Sequence, residues 1–115
     1  MKEIVFVGST RSDLAEAPVE IKRTMGGALR RAQEDRLSAD ASPMKGTLRE
    51  VIEISDQDES GTYRAMYTVA IGDVVYVLDF FKKKSTSGIA TPQVDLERVL
   101  RRLKKVREQH DATTR

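Results

Sequence analysis

Apolar and polar positions alternate in ways that divide the chain into a helical first part and a strand-rich middle. Residues 3–7 (EIVFV) are apolar and β-branched, which predicts a first strand that ends at Gly8. Ser12 is placed to cap a short helical turn, and Pro18 suits the first turn of a second helix. Residues 35–47 are polar without a sustained period and predict a loop. Apolar residues at helical spacing predict one buried stripe on the second helix, made of Ile21, Met25, Ala28, Leu29 and Ala32.

Three further segments predict an antiparallel meander, namely 48–54 (LREVIEI), 62–71 (TYRAMYTVAI) and 74–81 (VVYVLDFF). Gly72 and Asp73 form the predicted two-residue turn of the second hairpin, because glycine tolerates positive φ. With Ile71 opposite Val74, the more apolar face should take the helices and holds Tyr63, Ala65, Tyr67, Val69, Tyr76, Leu78 and Phe80. The opposite, more open face is predicted to hold Arg64, Met66, Thr68, Val77, Asp79 and Phe81.

A basic helix is predicted near the carboxy terminus. Thr91 offers an N-cap hydroxyl, and Pro92 suits the first helical position. Its apolar stripe is Leu96, Val99, Leu100, Leu103 and Val106. The rest of its surface is filled by Arg98, Arg101, Arg102, Lys104, Lys105 and Arg107. Residues 110–115 are expected to fray. These elements predict an α+β fold in which residues 1–115 form a single domain.

Composition narrows the class of protein. The net charge is only +2, but from residue 82 onward there are ten Lys or Arg and four Asp or Glu. Clustered cations attract polyanions, so this part is the candidate contact surface, with a solvated helix face as the alternative. The chain has no cysteine and no segment near the roughly 20 apolar residues of a membrane span. We therefore expect a cytoplasmic protein, with no cofactor and no metal, since one histidine cannot form a metal site alone.

The candidate chemistry is cationic. Six side chains are expected to converge on one sheet face, namely Lys45, Arg49, Arg64, Lys82, Lys83 and Lys84. Arginine binds phosphate through two parallel bonds and lysine binds it as a point charge, and neither selects a base. Two alternatives stay open at this point. Arg64 can instead form a cross-strand salt bridge with Asp79, and the lysine triplet can instead protect a sheet edge from aggregation.

The segments LREVIEI, GTYRAMYTV and VVYVLDFFKKKSTSGIATP follow one another after a helical first half. In that order they resemble the phage-derived Gp49-like branch of the RelE/HigB toxin family, over residues 44–103. The resemblance implies a RelE-like fold with two helices packed on an antiparallel sheet. It also implies a type II toxin that cleaves mRNA on the ribosome and is neutralised by a helix-turn-helix antitoxin. The alternative is a non-nuclease module, either directed at DNA gyrase like the related ParE branch or serving only as the partner of its antitoxin.

The resemblance also implies roles for individual residues. Arg64 resembles the strand arginine that holds the scissile phosphate, and Lys83 and Lys84 match the Lys-Lys at the strand end. Asp79 stands where relatives carry histidine, so it needs a raised pKa to donate a proton. These four are the predicted catalytic residues, and a lysine with a lowered pKa is a candidate base. The predicted RNA-binding residues are Lys45, Arg49, Lys82, Ser85, Arg101 and Lys105.

Overall fold

A computed structural model, which describes residues 1–83 and 92–113, places helices on both faces of one sheet. The elements in chain order are β1 (Glu3–Phe6), α1 (Thr10–Ala15), α2 (Val19–Gln33), β2 (Ala41–Pro43), a 3-10 turn (Gly46–Leu48), β3 (Val51–Asp58), β4 (Gly61–Thr68), β5 (Val74–Lys83) and α3 (Gln93–Thr113). The α+β prediction is confirmed. Helix α1 begins two residues before the predicted cap at Ser12, and β2 and the 3-10 turn lie mostly within the segment predicted to be a loop.

The sheet is mixed, with strand order β1-β5-β4-β3-β2. Strands β3, β4 and β5 are the predicted antiparallel meander, β1 adds to it in parallel and β2 in antiparallel orientation. The predicted two-residue turn between β4 and β5 is wrong. Paired residues end at Thr68 and Tyr76, so a longer connection joins the strands, and Gly72 takes a φ of 61° within it.

Helix α2 covers one face of the sheet and forms the first core cluster. All five residues of its predicted stripe are buried, which confirms that prediction. On the sheet side this cluster contains Ala41, Ile54, Tyr63, Ala65, Tyr67, Val75, Val77 and Phe80. Burial of this apolar stripe, at about 25 cal/mol per Å² of apolar surface, is the main force that holds α2 on the sheet.

A β-bulge at Leu78 changes the face to which the β5 side chains point. Met66 pairs with Asp79 and the next residue, Tyr67, pairs with Val77, so Leu78 has no partner in the register. Val77 therefore packs on the α2 side, whereas Leu78 and Tyr76 pack on the α3 side. The predicted faces were wrong for these three residues, because strict alternation cannot anticipate an extra residue.

Helix α3 covers the second face, which the sequence predicted to be open. Its buried residues are Val99, Leu103 and Val106, and Leu96 and Leu100 pack beside them, as the stripe predicted. The helix begins at Gln93, directly after Pro92, while Thr91 lies outside the described residues. Fraying was predicted from His110, but the helix continues through Thr113. In the described part of the chain, no helix is both long and apolar enough to cross a bilayer.

Arg102 fixes α3 against the bulge. Its Nη1 donates to the Leu78 carbonyl at 2.8 Å and to Asp79 Oδ1 at 3.3 Å. The bulge takes Leu78 out of the strand register, and the guanidinium satisfies its carbonyl. Gly8 has a φ of 60°, and a Cβ built there would stand 2.8 Å from Arg102 Nη2. The positive φ favours glycine at residue 8, and any side chain there would displace the Arg102 guanidinium from its present position.

Candidate active site

Arg64 and Glu53 form an ion pair on the α3 side of the sheet. Register places Ser55 of β3 opposite Arg64, so Glu53 lies two residues further along the same face. Arg64 Nη1 donates to Glu53 Oε2 at 2.9 Å, and the two side chains are 12% and 17% exposed. The predicted alternative, a bridge from Arg64 to Asp79, is wrong, because each of these residues pairs with other groups.

Lys83 brings a second cation to the same face. It is the last residue of β5 and pairs with Thr62, two residues from Arg64 on β4. Its side chain is largely buried, with the residue only 6% exposed. This burial and the nearby charge of Arg64 lower the pKa of Lys83, while Glu53 acts in the opposite direction. Glu53, Arg64 and Lys83 thus come from three adjacent strands and form one cluster, here called the arginine cluster.

Lys82 lies on the opposite face of the sheet. It pairs with Tyr63, and its Nζ stands 5.8 Å from the centre of the Tyr63 ring, on the side that α2 covers. The prediction that Lys82 and Lys83 converge on one face was therefore wrong, since neighbouring residues of a strand point to opposite faces. Lys84 and Ser85, also predicted to take part, lie outside the described residues.

Asp79 is bound by α3. Its Oδ2 accepts from Arg98 Nε at 3.0 Å, and its Oδ1 accepts from Arg102 and from the backbone N–H of Phe80. Burial raises the pKa of Asp79, as a proton donor requires, although both guanidiniums act to lower it. The carboxylate is committed to these contacts and the residue is 4% exposed. This geometry favours Asp79 as the residue that anchors α3, rather than as a proton donor to a substrate.

The other predicted RNA-binding residues lie on the 3-10 turn and on α3, outside the three strands that form the arginine cluster. Lys45 and Arg49 are exposed at the two ends of the 3-10 turn, and Arg101 and Lys105 are exposed on α3. Other α3 cations are paired, because Arg98 bonds Asp79 and Asp95, Arg102 bonds Asp79, and Arg107 bonds Glu50. The positive field of the helix is consequently weaker than its composition predicts.

Glu53 is the member of the arginine cluster that the sequence reasoning missed. It sits between Ile52 and Ile54 in β3, where an acidic residue alternates with apolar ones. The register of the β3–β4 hairpin, in which Asp58 pairs with Gly61, could have placed it near Arg64. A carboxylate can accept a proton, a guanidinium can bind a phosphate, and a lysine of lowered pKa can release a proton. These are the three operations that cleavage of a ribose phosphodiester needs.

Comparison with known proteins gives a family and a fold. The family described as phage-derived protein Gp49-like matches residues 12–104. The isolated E. coli RelE toxin superposes with a TM-score of 0.54 at 18% identity, over 88% of this chain and 98% of that one. The toxin–antitoxin complex RelBE2 from Mycobacterium tuberculosis gives a TM-score of 0.46 at 19% identity, over 71% and 98% of the two chains. No curated protein matches the sequence.

Proposed function

Because the chain belongs to the phage-derived Gp49-like family and has a RelE-like fold, we propose that it is the toxin of a type II toxin–antitoxin pair. We propose further that it cleaves mRNA on the ribosome, without a metal ion. The observation that carries this proposal is the arginine cluster, which puts a carboxylate, a guanidinium and a lysine on one face of the sheet.

Each member of the arginine cluster has a role in the proposed cleavage. Arg64 binds the scissile phosphate and stabilises the negative charge that develops on it. Glu53 accepts the proton of the ribose 2′-hydroxyl as that oxygen attacks phosphorus. Lys83 donates a proton to the leaving 5′ oxygen, for which its lowered pKa makes it a stronger acid than an ordinary lysine. The products are a cyclic phosphate and a free 5′-hydroxyl, and the ribosome holds the message in place.

Induced expression tests this proposal. We expect growth to stop, with translation falling before DNA synthesis, and new 5′ ends to be found in ribosome-bound message. Early loss of DNA synthesis with intact message would instead support the gyrase-directed alternative. Absence of growth arrest would leave only the role of an inactive partner of the antitoxin. Arrest with neither message cleavage nor loss of DNA synthesis would contradict the proposed cleavage.

The two lysines at the end of β5 give a matched pair of variants for ribosome binding. Lys83→Gln should weaken binding and lower the log-log salt slope by about 0.7, the value for one single-strand phosphate contact. Lys82→Gln removes the same charge on the opposite face, so its slope should stay at the wild-type value. Titration against ribosomes at several salt concentrations measures both slopes. Equal slopes for the two variants would remove Lys83 from the phosphate site.

A further inference from the structure

A cleft lies between the edge strand β1 and the second half of α3, on the face of the sheet that α3 covers. Three valines line it, namely Val5, Val7 and Val106, and Tyr76 lines it from β5. Val106 is buried, whereas the other three side chains remain partly exposed. The volume of the cleft is about 390 Å³, which falls within the range of about 300 to 1,000 Å³ typical of small-molecule sites.

The polar side chains of this cleft favour an anion. They are Arg102, Lys105 and Gln109, all from α3, and no carboxylate is among the described residues that line the cleft. Lys105 is exposed, and no ion pair joins it to any residue in the described part of the chain. Cations that line a concave surface without a carboxylate beside them raise the local concentration of anions.

The guanidinium of Arg102 is held in place by one nitrogen only. Its Nη1 makes both bonds, to the Leu78 carbonyl and to Asp79, while Nε and Nη2 donate to no group among residues 1–83 and 92–113. Gly8 also lines the cleft, and a Cβ there would stand 2.8 Å from Nη2 and 3.4 Å from Nε, so glycine keeps a side chain off this edge of the guanidinium. Since Asp79 balances the charge of Arg102, the arginine contributes fixed donors and Lys105 contributes the uncompensated charge.

We propose that this cleft binds a small organic anion, in which a carboxylate or a phosphate is attached to a compact apolar body. The anionic group accepts from Nε and Nη2 of Arg102 and from the Lys105 ammonium, and the apolar body packs on the valines. The site is separate from the arginine cluster. Tyr76 lies near the start of β5 and Lys83 at its end, which puts them about 20 Å apart at roughly 3.3 Å per residue.

Titration of the purified full-length chain, followed by NMR of its backbone amides, tests the proposal. The probes are phenylacetate and phenyl phosphate, which carry the two anionic groups on the same ring. Phenethylamine carries a cation instead, and acetate lacks the apolar body. We expect at least one anionic probe to bind about tenfold more tightly than phenethylamine and acetate, with shifts at residues 5–8 and 105–109, and the tighter of the two identifies the anionic group. If neither anionic probe binds more tightly than phenethylamine and acetate, the proposal is wrong.

Two adjacent lysines of α3 give a matched pair of variants that place the probe in the cleft. Lys105→Glu should weaken binding of the anionic probe about tenfold and strengthen binding of phenethylamine, a reversal that a loss of folding cannot produce. Lys104→Glu makes the same change at an exposed residue outside the cleft, so both affinities should stay within about twofold of wild type. Val5→Phe fills the apolar wall and should weaken binding of the anionic probe. Equal effects of the two glutamate variants, or an unchanged affinity in Val5→Phe, overturn the assignment.

Competition with RNA separates a small-molecule site from a contact with a nucleic-acid backbone. A single-stranded oligoribonucleotide that leaves the anionic probe bound supports the proposal. If the oligoribonucleotide displaces the probe, and its own binding is weakened by Lys105→Glu but not by Lys104→Glu, the cleft is a site for RNA phosphate and the proposal is wrong. These measurements need neither ribosomes nor message cleavage, so their outcome is independent of the proposed toxin activity.

Discussion

Arg64→Lys is expected to remove nearly all growth arrest and message cleavage, with a loss of about 100-fold or more in rate. Lysine keeps the positive charge beside Glu53, but it cannot form the two parallel bonds by which a guanidinium holds a phosphate. Because the ion pair is retained, thermal stability should change little. Cleavage is measured by primer extension on ribosome-bound message, and stability by thermal unfolding of the same preparation.

Two further variants separate a catalytic from a structural role of Arg64. Arg31→Lys is the control for the substitution itself, since Arg31 is exposed on α2 and its guanidinium donates to the Gly27 carbonyl of the same helix. It should cleave at the wild-type rate. If Arg64→Lys retains full activity while Arg64→Ala fails to fold, the pair with Glu53 is structural and the phosphate lies elsewhere.

The sequence predicted those parts of the fold that depend on local periodicity. The stripes of α2 and α3 are set by residues three and four apart in the chain, so they could be assigned without knowing what they pack against. Strand β2 was missed, because a three-residue edge strand that ends in proline has no period to detect. The parallel pairing of β1 with β5 joins segments far apart in the chain, and no local pattern reports it.

The bulge at Leu78 accounts for the wrongly predicted faces of Tyr76, Val77 and Leu78. Alternation along VVYVLDFF is compatible with a regular strand, so the sequence carries no signal for an extra residue. The ion-pair partners of Asp79 and Arg64 depend on both this bulge and α3. Arg102 reaches both the bulged carbonyl and Asp79, which leaves Glu53 to pair with Arg64. The tertiary structure determines which residues form these ion pairs, and the number of charges in the sequence cannot predict them.

The excess of cations in the carboxy-terminal part of the sequence predicted the basic surface only partly. The composition of the carboxy-terminal part counts every cation equally, whereas the structure pairs Arg98, Arg102 and Arg107 with carboxylates. An ion pair presents little net charge to a polyanion at a distance. The sequence could identify Arg64 and Lys83 as residues to test. It could not predict how they lie beside Glu53, because that arrangement depends on the register of three strands.

The second large effect concerns stability. Asp79→Ala is expected to lower the free energy of unfolding by about 3 kcal/mol, which corresponds to a fall in Tm of roughly 10 °C. The raised pKa of Asp79 indicates that burying its charge is costly. The lost stability therefore does not come from a strong attraction between this carboxylate and its guanidinium partners. It comes from removing the carboxylate that two partly buried guanidiniums share, which leaves Arg98 with Asp95 as its acidic partner and Arg102 with the Leu78 carbonyl.

Arg107→Ala is the matched control, because its pair with Glu50 also joins α3 to the sheet but is about half exposed. Arg107→Ala should lower the free energy of unfolding by less than about 1 kcal/mol. Thermal and urea unfolding of both variants measure the difference. Asp79→Asn should still cleave message at a temperature where it is folded, since the geometry makes Asp79 an anchor rather than a proton donor. An Asp79→Asn protein with wild-type stability and no cleavage would reverse this assignment and return Asp79 to the catalytic residues.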